Sequence, residues 1–355
     1  MDHAFGSDFT VGIEEELFLV ELPELELVQT AGQVLAAMDH ASSWQAAHEA
    51  FACELELRSP PVETPGEAVA ALEAARTAAR EAGATTMGAG LHPTSAFGDV
   101  ELVRSERYAR VEASMRGLIQ RAPECALHVH VGLPDPETAI RVFNALREWL
   151  PLLEALAANS PWWHGIDSGM ASARAAFVRA YPSRGVPREL RDWEDYEAAL
   201  EASAAGGGPN DYTLIWWDVR LHPRLGTVEV REMDVQSRLE DTAALAALIQ
   251  ALARMEAERP RDYAPAEAIA WSAFLAARDG LAAEILSGGK RAPAREAARA
   301  AVEAARPYSP EPDALDGIER VLADGGGADR RRAAHRRGGM KAMLEELVAE
   351  TAEEA

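Results

Sequence analysis

The sequence predicts an α+β fold with one antiparallel sheet, and three observations carry that prediction. Stretches in which ionisable and apolar residues strictly alternate recur through the first 235 residues. Period-two alternation marks a strand with one polar and one apolar face. Two pairs of these stretches are joined by tight turns, as in hairpins. Strands and helices also do not alternate regularly along the chain, which argues against a doubly wound parallel sheet.

Taken in order, residues 9–20 and 24–28 read as strands joined at Leu22-Pro23-Glu24. Residues 30–39 read as a short helix capped by Thr30. Cys53 to Ser59 alternates and stops at Pro60-Pro61. Thr64-Pro65-Gly66-Glu67 opens a helix to about Ala82, with Thr64 as cap, Pro in the first turn and Glu three residues on. A strand over 84–91, a helix over 105–120 and an alternating strand over 125–132 follow. Asp135-Pro136-Glu137 starts a long helix to about Asn159, with a break or kink expected at Pro151. Residues 160–212 are mixed, as a functional cover would be, with a helix near 190–203. Residues 213–221 and 226–232 read as a hairpin, and Ser237-x-x-Glu240 as a capping box on a helix to about Glu258. Everything from 265 onward reads as helical, over 265–287, 293–305, 314–323 and 328–352. The whole chain, 1–355, is expected to be one catalytic domain: sheet and crossing helices to 235, then a helical part from 236.

Composition narrows the function classes. The 355 residues carry a formal charge of -23, which opposes general nucleic-acid binding. No apolar run approaches the about 18 residues that span a bilayer. Two cysteines without a C-x-x-C spacing give neither a disulfide framework nor a thiolate zinc site, and fit a reducing cytoplasm. The basic run Arg330-Arg331-Arg332 with Arg336-Arg337 is expected on a solvated helix face. Homo-oligomerisation is expected on base rate alone.

The strands carry the chemistry. Glu14 and Glu16 share one face of the first, and Glu15 points the other way. The same pairing recurs at Glu54 and Glu56, at His128 and His130, and at Glu229 and Arg231. One such pair equally fits an edge strand with its acidic face in water. Four make a polar sheet face of Glu, His and Arg without Lys, which favours a metal- and phosphate-handling cavity. Carboxylates with few His and no Cys suit Mg²⁺, or alternatively Mn²⁺, better than Zn²⁺. Two other readings stay open. His-x-His occurs in metal-dependent amide hydrolases, although their barrel needs strands that the chain after residue 235 does not supply. A non-catalytic nucleotide- or amino-acid-binding protein is the third.

As an ordered set, these residues resemble a known family. Gly12-Ile13-Glu14-Glu15-Glu16, Leu55-Glu56-Leu57-Arg58-Ser59-Pro60, Gly90-Leu91-His92-Pro93 and Leu127-His128-Val129-His130-Val131-Gly132 come first. Ala158-Asn159-Ser160-Pro161, Trp216-Trp217-Asp218-Val219-Arg220, Gly226-Thr227-Val228-Glu229-Val230-Arg231 and Gly327-Ala328-Asp329-Arg330 continue in order. Together they resemble the YbdK-type carboxylate–amine ligases, the second type of glutamate–cysteine ligase. The resemblance implies a glutamine-synthetase-like fold, a curved antiparallel sheet forming a funnel flanked by helices. It implies transfer of the γ-phosphoryl of ATP to a glutamate γ-carboxylate, then displacement of phosphate by an amine such as cysteine. Its partners would be ATP, an amino acid and an amine.

By that resemblance Glu14, Glu16, Glu56, His128 and Glu229 would hold Mg²⁺, with Glu56 also catalytic. Arg231 would neutralise the transferring phosphoryl group, and His130 and Arg330 would help bind the nucleotide. Arg174, His92 and Trp217 are the expected substrate contacts, Arg174 because a guanidinium fork matches a carboxylate. Tryptophan pairs beside strands are otherwise expected in the core. Two departures from the family's pattern stand out. Cys53-Glu54 replaces its usual Ser-Gln and adds a carboxylate to the active face, and Trp271-Ser272-Ala273-Phe274 departs from its Asn-Arg-Trp pattern.

Overall fold

The computed structural model describes residues 2–38, 45–209 and 211–353. The first strand, β1 (Val11–Glu21), turns at Leu22-Pro23 into β2 (Glu26–Leu27) and the short α1 (Ala31–Ala37). Thr30 precedes α1 without a side-chain capping bond, unlike the expectation. Next come β3 (Ala46–His48), β4 (Glu54–Arg58) and α2 (Pro65–Glu81). The Thr64/Glu67 capping box of α2 forms as expected. The expected strand over 84–91 shrinks to β5 (Thr86–Met87). After it lie α3 (Glu106–Met115), β6 (Ala126–Gly132) and α4 (Pro136–Ala157), which continues through Pro151.

Within the expected cover run a small hairpin, β7 (Trp162–Trp163) and β8 (Ile166–Asp167), then α5 (Ala173–Val178) and α6 (Trp193–Ala205). The expected strand 213–221 is shorter: β9 spans Val219–His222, and residues 212–214 form a 3-10 turn instead. It pairs with β10 (Thr227–Asp234). The helical part begins with α7 (Leu239–Ala257) and α8 (Ala266–Asp279). No capping box opens α7, because the Ser237 hydroxyl donates to Glu350 instead. The helix expected to reach 287 stops at Asp279, and the hairpin β11 (Glu284–Ser287) and β12 (Lys290–Pro293) follows. Its two-residue turn, Gly288-Gly289, has positive φ at both positions, which glycine adopts without strain. Then come α9 (Ala294–Ala305), α10 (Asp316–Asp324) and α11 (Gly327–Ala352), with non-helical backbone at Gly338 and Gly339.

Among the described residues the main sheet is eight-stranded, ordered β3-β4-β1-β6-β10-β9 with β2 and β5 also on β1, and its pairings are antiparallel. Among the described residues there is no parallel βα barrel of the kind the hydrolase reading requires. Register fixes the two faces. Ile13 lies opposite Val129 and Leu57 opposite Glu15, so Val11, Ile13, Leu55, Val129 and Val230 point to the helical side. There they join one buried cluster with Leu146 of α4, Leu248 of α7 and Leu347 of α11. Burying each such side chain contributes about 1.5–3 kcal/mol.

Glu15 faces this apolar layer and is fully buried, yet it is matched. Arg76 of α2 donates from Nε and Nη2 to its two carboxylate oxygens, both at 2.7 Å. A bidentate pair of this kind is what makes a buried carboxylate tolerable. The even-numbered carboxylates of β1 are thereby left to the other face.

Candidate active site

On that other face, adjacent strands place the ionisable pairs side by side. Glu14 sits opposite His128 on β6 and Arg58 on β4, and Glu16 opposite Glu56. His130 sits opposite Glu229 on β10, and Glu229 opposite Arg220 on β9. A register shift between Val230 and Met233 bulges β10 where Arg231 lies. The strand alternation thus converges five strands on one patch.

Glu14, His128 and Glu229 each offer a ligand atom, and these atoms lie within 4.8 Å of one another. His128 Nδ1 is 3.4 Å from Glu14 Oε2 and 3.9 Å from Glu229 Oε1, and its Nε2 is 4.0 Å from Glu16 Oε1. His130 Nε2 is 3.6 Å from both Glu14 Oε2 and Glu229 Oε1, and it is buried with no hydrogen-bond partner. Most of these spacings are too long for good hydrogen bonds and suit atoms that share one cation. The donor set of carboxylate oxygens and imidazole nitrogens fits a hard divalent ion.

Electrostatics agree. Burial, then the Arg231 charge, lower the His128 pKa to about 4, so the ring is neutral and keeps a lone pair at neutral pH. Burial also opposes charge on His130, but Glu229 and Glu14 outweigh it and raise its pKa. Burial would raise Glu229 too, but Arg220 and Arg231 hold its carboxyl well below the usual range. Glu14 is likewise held low, the two histidines outweighing its burial. Glu16 and Glu56 go the other way: burial, then neighbouring carboxylates led by Glu49, raise both. Glu49, just after β3, itself hydrogen-bonds Glu56.

Beside this group lies a cavity of about 100 Å³. Glu16, His128 and Arg231 form its border with the Glu14–His128–Glu229 group, and Glu54, Glu124, Arg174, Arg184, Tyr181 and Trp216 line its interior. Phe51, Val111, Met115 and Ile119 supply an apolar wall. Arg174, Tyr181 and Arg184 come from the segment 160–212.

The other expected site residues divide. Arg174 reaches the cavity, but its Nε lies 2.8 Å from Glu124 Oε2 and its Nη1 donates to the Glu232 and Met233 carbonyls. Trp217 faces away: it packs against the core beside Phe143, and its neighbour Trp216 lines the cavity. The 3-10 turn before β9 breaks the alternation that would have told the two apart. His92 is buried outside the cluster, with Nε2 2.9 Å from the Leu25 carbonyl and its ring edge-on to Phe18. Arg330 is also elsewhere, donating to Asp241 at 2.7 Å within the helical part. The expected solvated basic face is corrected there, since Arg330 and Arg331 are buried and paired with Asp241 and Glu350. Arg220 pairs with Glu229 rather than with Asp218, whose partner is Arg184.

Several motif residues turn out to be scaffolding. Asp234 at the end of β10 accepts from the Asn159 amide and the Ser160 hydroxyl, each at 2.7 Å. Gly90 lets that carboxylate approach, since a Cβ there would collide with it. Gly327 does the same for the Asn159 side chain. The sequence does not single out Glu49, Glu124 or Arg184 as site residues, and Trp216, expected in the core, lines the cavity instead. Glu124 had a signal, because it shares even parity with His128 and His130 and the alternation extends back to it.

Comparison with known proteins gives the class, a ligase of the carboxylate–amine type. The model of glutamate-cysteine ligase family 2 matches residues 10–350, and the chain belongs to that family. A Rubrobacter xylanophilus protein, provisionally named glutamate–cysteine ligase 2-1, is 35% identical over 94% of this chain and 92% of its own. The glutamate–cysteine ligase of Haloquadratum walsbyi is 32% identical over 98% of both chains. Among solved structures, the glutamate–cysteine ligase of Francisella tularensis in complex with AMP shares the fold. Its TM-score is 0.74 at 11% identity, covering 99% of this chain and 90% of that one. A bifunctional glutathione synthetase from Pasteurella multocida gives a TM-score of 0.71 at 13% identity, over 97% of this chain and 52% of that one.

Proposed function

We propose that this protein uses ATP and a divalent cation, Mg²⁺ with Mn²⁺ as the alternative, to join the γ-carboxylate of glutamate to a small amine such as cysteine. The observation that supports this best is the meeting of Glu14, His128 and Glu229 within 4.8 Å beside Arg231. A cation bound there would offset the charge of a triphosphate and polarise its terminal phosphoryl group.

Each residue then has a task. Glu14, Glu229 and neutral His128 hold the ion, and Glu16, Glu56 and Glu49 offer carboxylates for another nearby. Arg231 stands between cluster and cavity, where it can stabilise charge on a phosphoryl group in transfer. His130 lies against the same ligands and would face the phosphates. Arg174 is the carboxylate-recognition candidate on the cavity side. In the proposed reaction a carboxylate oxygen takes the γ-phosphoryl group and ADP leaves. The amine nitrogen then bonds to the carbonyl carbon, the carbon–oxygen bond to phosphate breaks, and phosphate and a proton depart.

The test is ADP release with glutamate and a panel of amines, including hydroxylamine to trap the activated acyl group. ADP and phosphate should appear only when both acid and nucleophile are present, with hydroxamate formed from hydroxylamine. ATP binding without turnover across the panel would instead support a binding protein.

A further inference from the structure

Glu54 is the unpartnered carboxyl of the cavity. Its side chain is fully buried, it lines the cavity, and neither carboxylate oxygen has a hydrogen-bond partner of normal geometry. Burial, then the like charges of Glu16, Glu49 and Glu124, push its carboxyl well above the usual carboxylate range, and the Glu124 backbone amide acts the other way. The nearby guanidinium groups are already committed. Arg174 faces Glu124, Arg184 faces Asp218 at 3.2 Å, and Arg231 donates to Glu229. Ionising a carboxyl in this position calls for a cation beside it.

Building on the ligase reading, we propose that Glu54 anchors the acceptor as an ammonium and takes one of its protons, leaving the neutral nitrogen to attack, and that the acceptor is a small primary amine with an apolar body and no carboxylate beside that nitrogen. An ammonium group brings three N–H donors to a site whose free valences are acceptors. Phe51, Val111 and Met115 offer the apolar wall for its body, and the small cavity volume limits its size. With Arg174 assigned to the acid substrate, an α-carboxylate on the acceptor would be set against Glu54 and Glu124, and the other guanidinium groups among the described lining residues face Asp218 and Glu229.

The experiment compares cysteamine, cysteine and hydroxylamine as acceptors for the wild-type protein and for Glu54→Gln, with cysteamine binding followed separately by calorimetry. Hydroxylamine is uncharged at neutral pH and needs no ammonium anchor. Wild type should prefer cysteamine to cysteine in kcat/KM. Glu54→Gln should weaken cysteamine binding and lower the ratio of cysteamine to hydroxylamine rates, each by about tenfold or more. Glu54→Asp should recover part of the loss. Unchanged acceptor preference and unchanged cysteamine binding in Glu54→Gln would overturn the proposal. So would a higher Mg²⁺ requirement with no change in cysteamine KM, which would make Glu54 a cation ligand. Failure of wild type to form any hydroxamate would strike the ligase reading itself, and the calorimetric comparison would still decide the role of Glu54.

Discussion

Arg220 and Glu229 face each other across β9 and β10, with Arg220 Nε and Nη2 at 2.9 and 2.8 Å from the same oxygen, Glu229 Oε2. The other oxygen, Oε1, is thereby turned toward Arg231, His128 and His130. The pair thus aims one carboxylate oxygen at the place where a cation would sit, and it does so from outside the ligand set.

Arg220→Lys should therefore weaken activation by Mg²⁺ about 10–100-fold while the enzyme stays folded, because a lysine cannot reproduce the planar fork. Activity measured against Mg²⁺ concentration reads this directly. A wild-type Mg²⁺ dependence would mean that Glu229 is positioned without Arg220.

On the opposite face, Arg76→Ala should destabilise the protein by about 3–5 kcal/mol, since it leaves the buried Glu15 carboxylate without its counter-charge. Arg76 also donates to the carbonyls of Gln236, Ser237 and Thr351, so α2 would loosen from the end of α11. Denaturant midpoints of the two proteins measure the loss. A change below about 1 kcal/mol would contradict the matched-pair description.

Trp216→Ala and Trp217→Ala should separate. The first alters the cavity wall and should raise substrate KM with little change in melting temperature. The second removes a ring packed beside Phe143 and should cost about 2–4 kcal/mol of stability with smaller effects on KM. Steady-state kinetics and thermal melts on both variants decide it, and reversed effects would exchange the two faces.

Glu154 of α4 gives a pH signature. Burial, then the Asp234 charge, raise its pKa to about 8. Its folded pKa exceeds the ordinary value, so the folded state holds a proton that the unfolded chain has lost. Stability should then fall as pH rises from about 4.5 toward 8 and level off above it. Glu154→Gln should flatten that fall and melt higher than wild type at pH 8. Parallel pH–melting curves for the two proteins would remove Glu154 as the cause.

The sheet and its faces were legible because alternation is local: Glu14, Glu16, Glu56, His128 and Glu229 declare their side by parity alone. What parity could not supply was the neighbourhood of each residue. Glu49 lies beyond a three-residue edge strand with no periodic signal, and Arg184 stands in a loop held by Asp218. Ser237 had the spacing of a cap, yet a carboxylate from α11 claimed its hydroxyl. The buried pairing of Arg330 and Arg331 likewise depends on Asp241 and Glu350, which are distant in sequence. The hairpin after α8 was within reach, since a Gly-Gly pair between short runs is a turn signal.

The most direct measurement is anomalous diffraction from crystals grown with Mn²⁺ and a non-hydrolysable ATP analogue. A peak should lie about 2.1–2.3 Å from an oxygen of Glu14, an oxygen of Glu229 and a ring nitrogen of His128. Full-occupancy manganese with its nucleotide bound away from all three side chains would contradict the assignment.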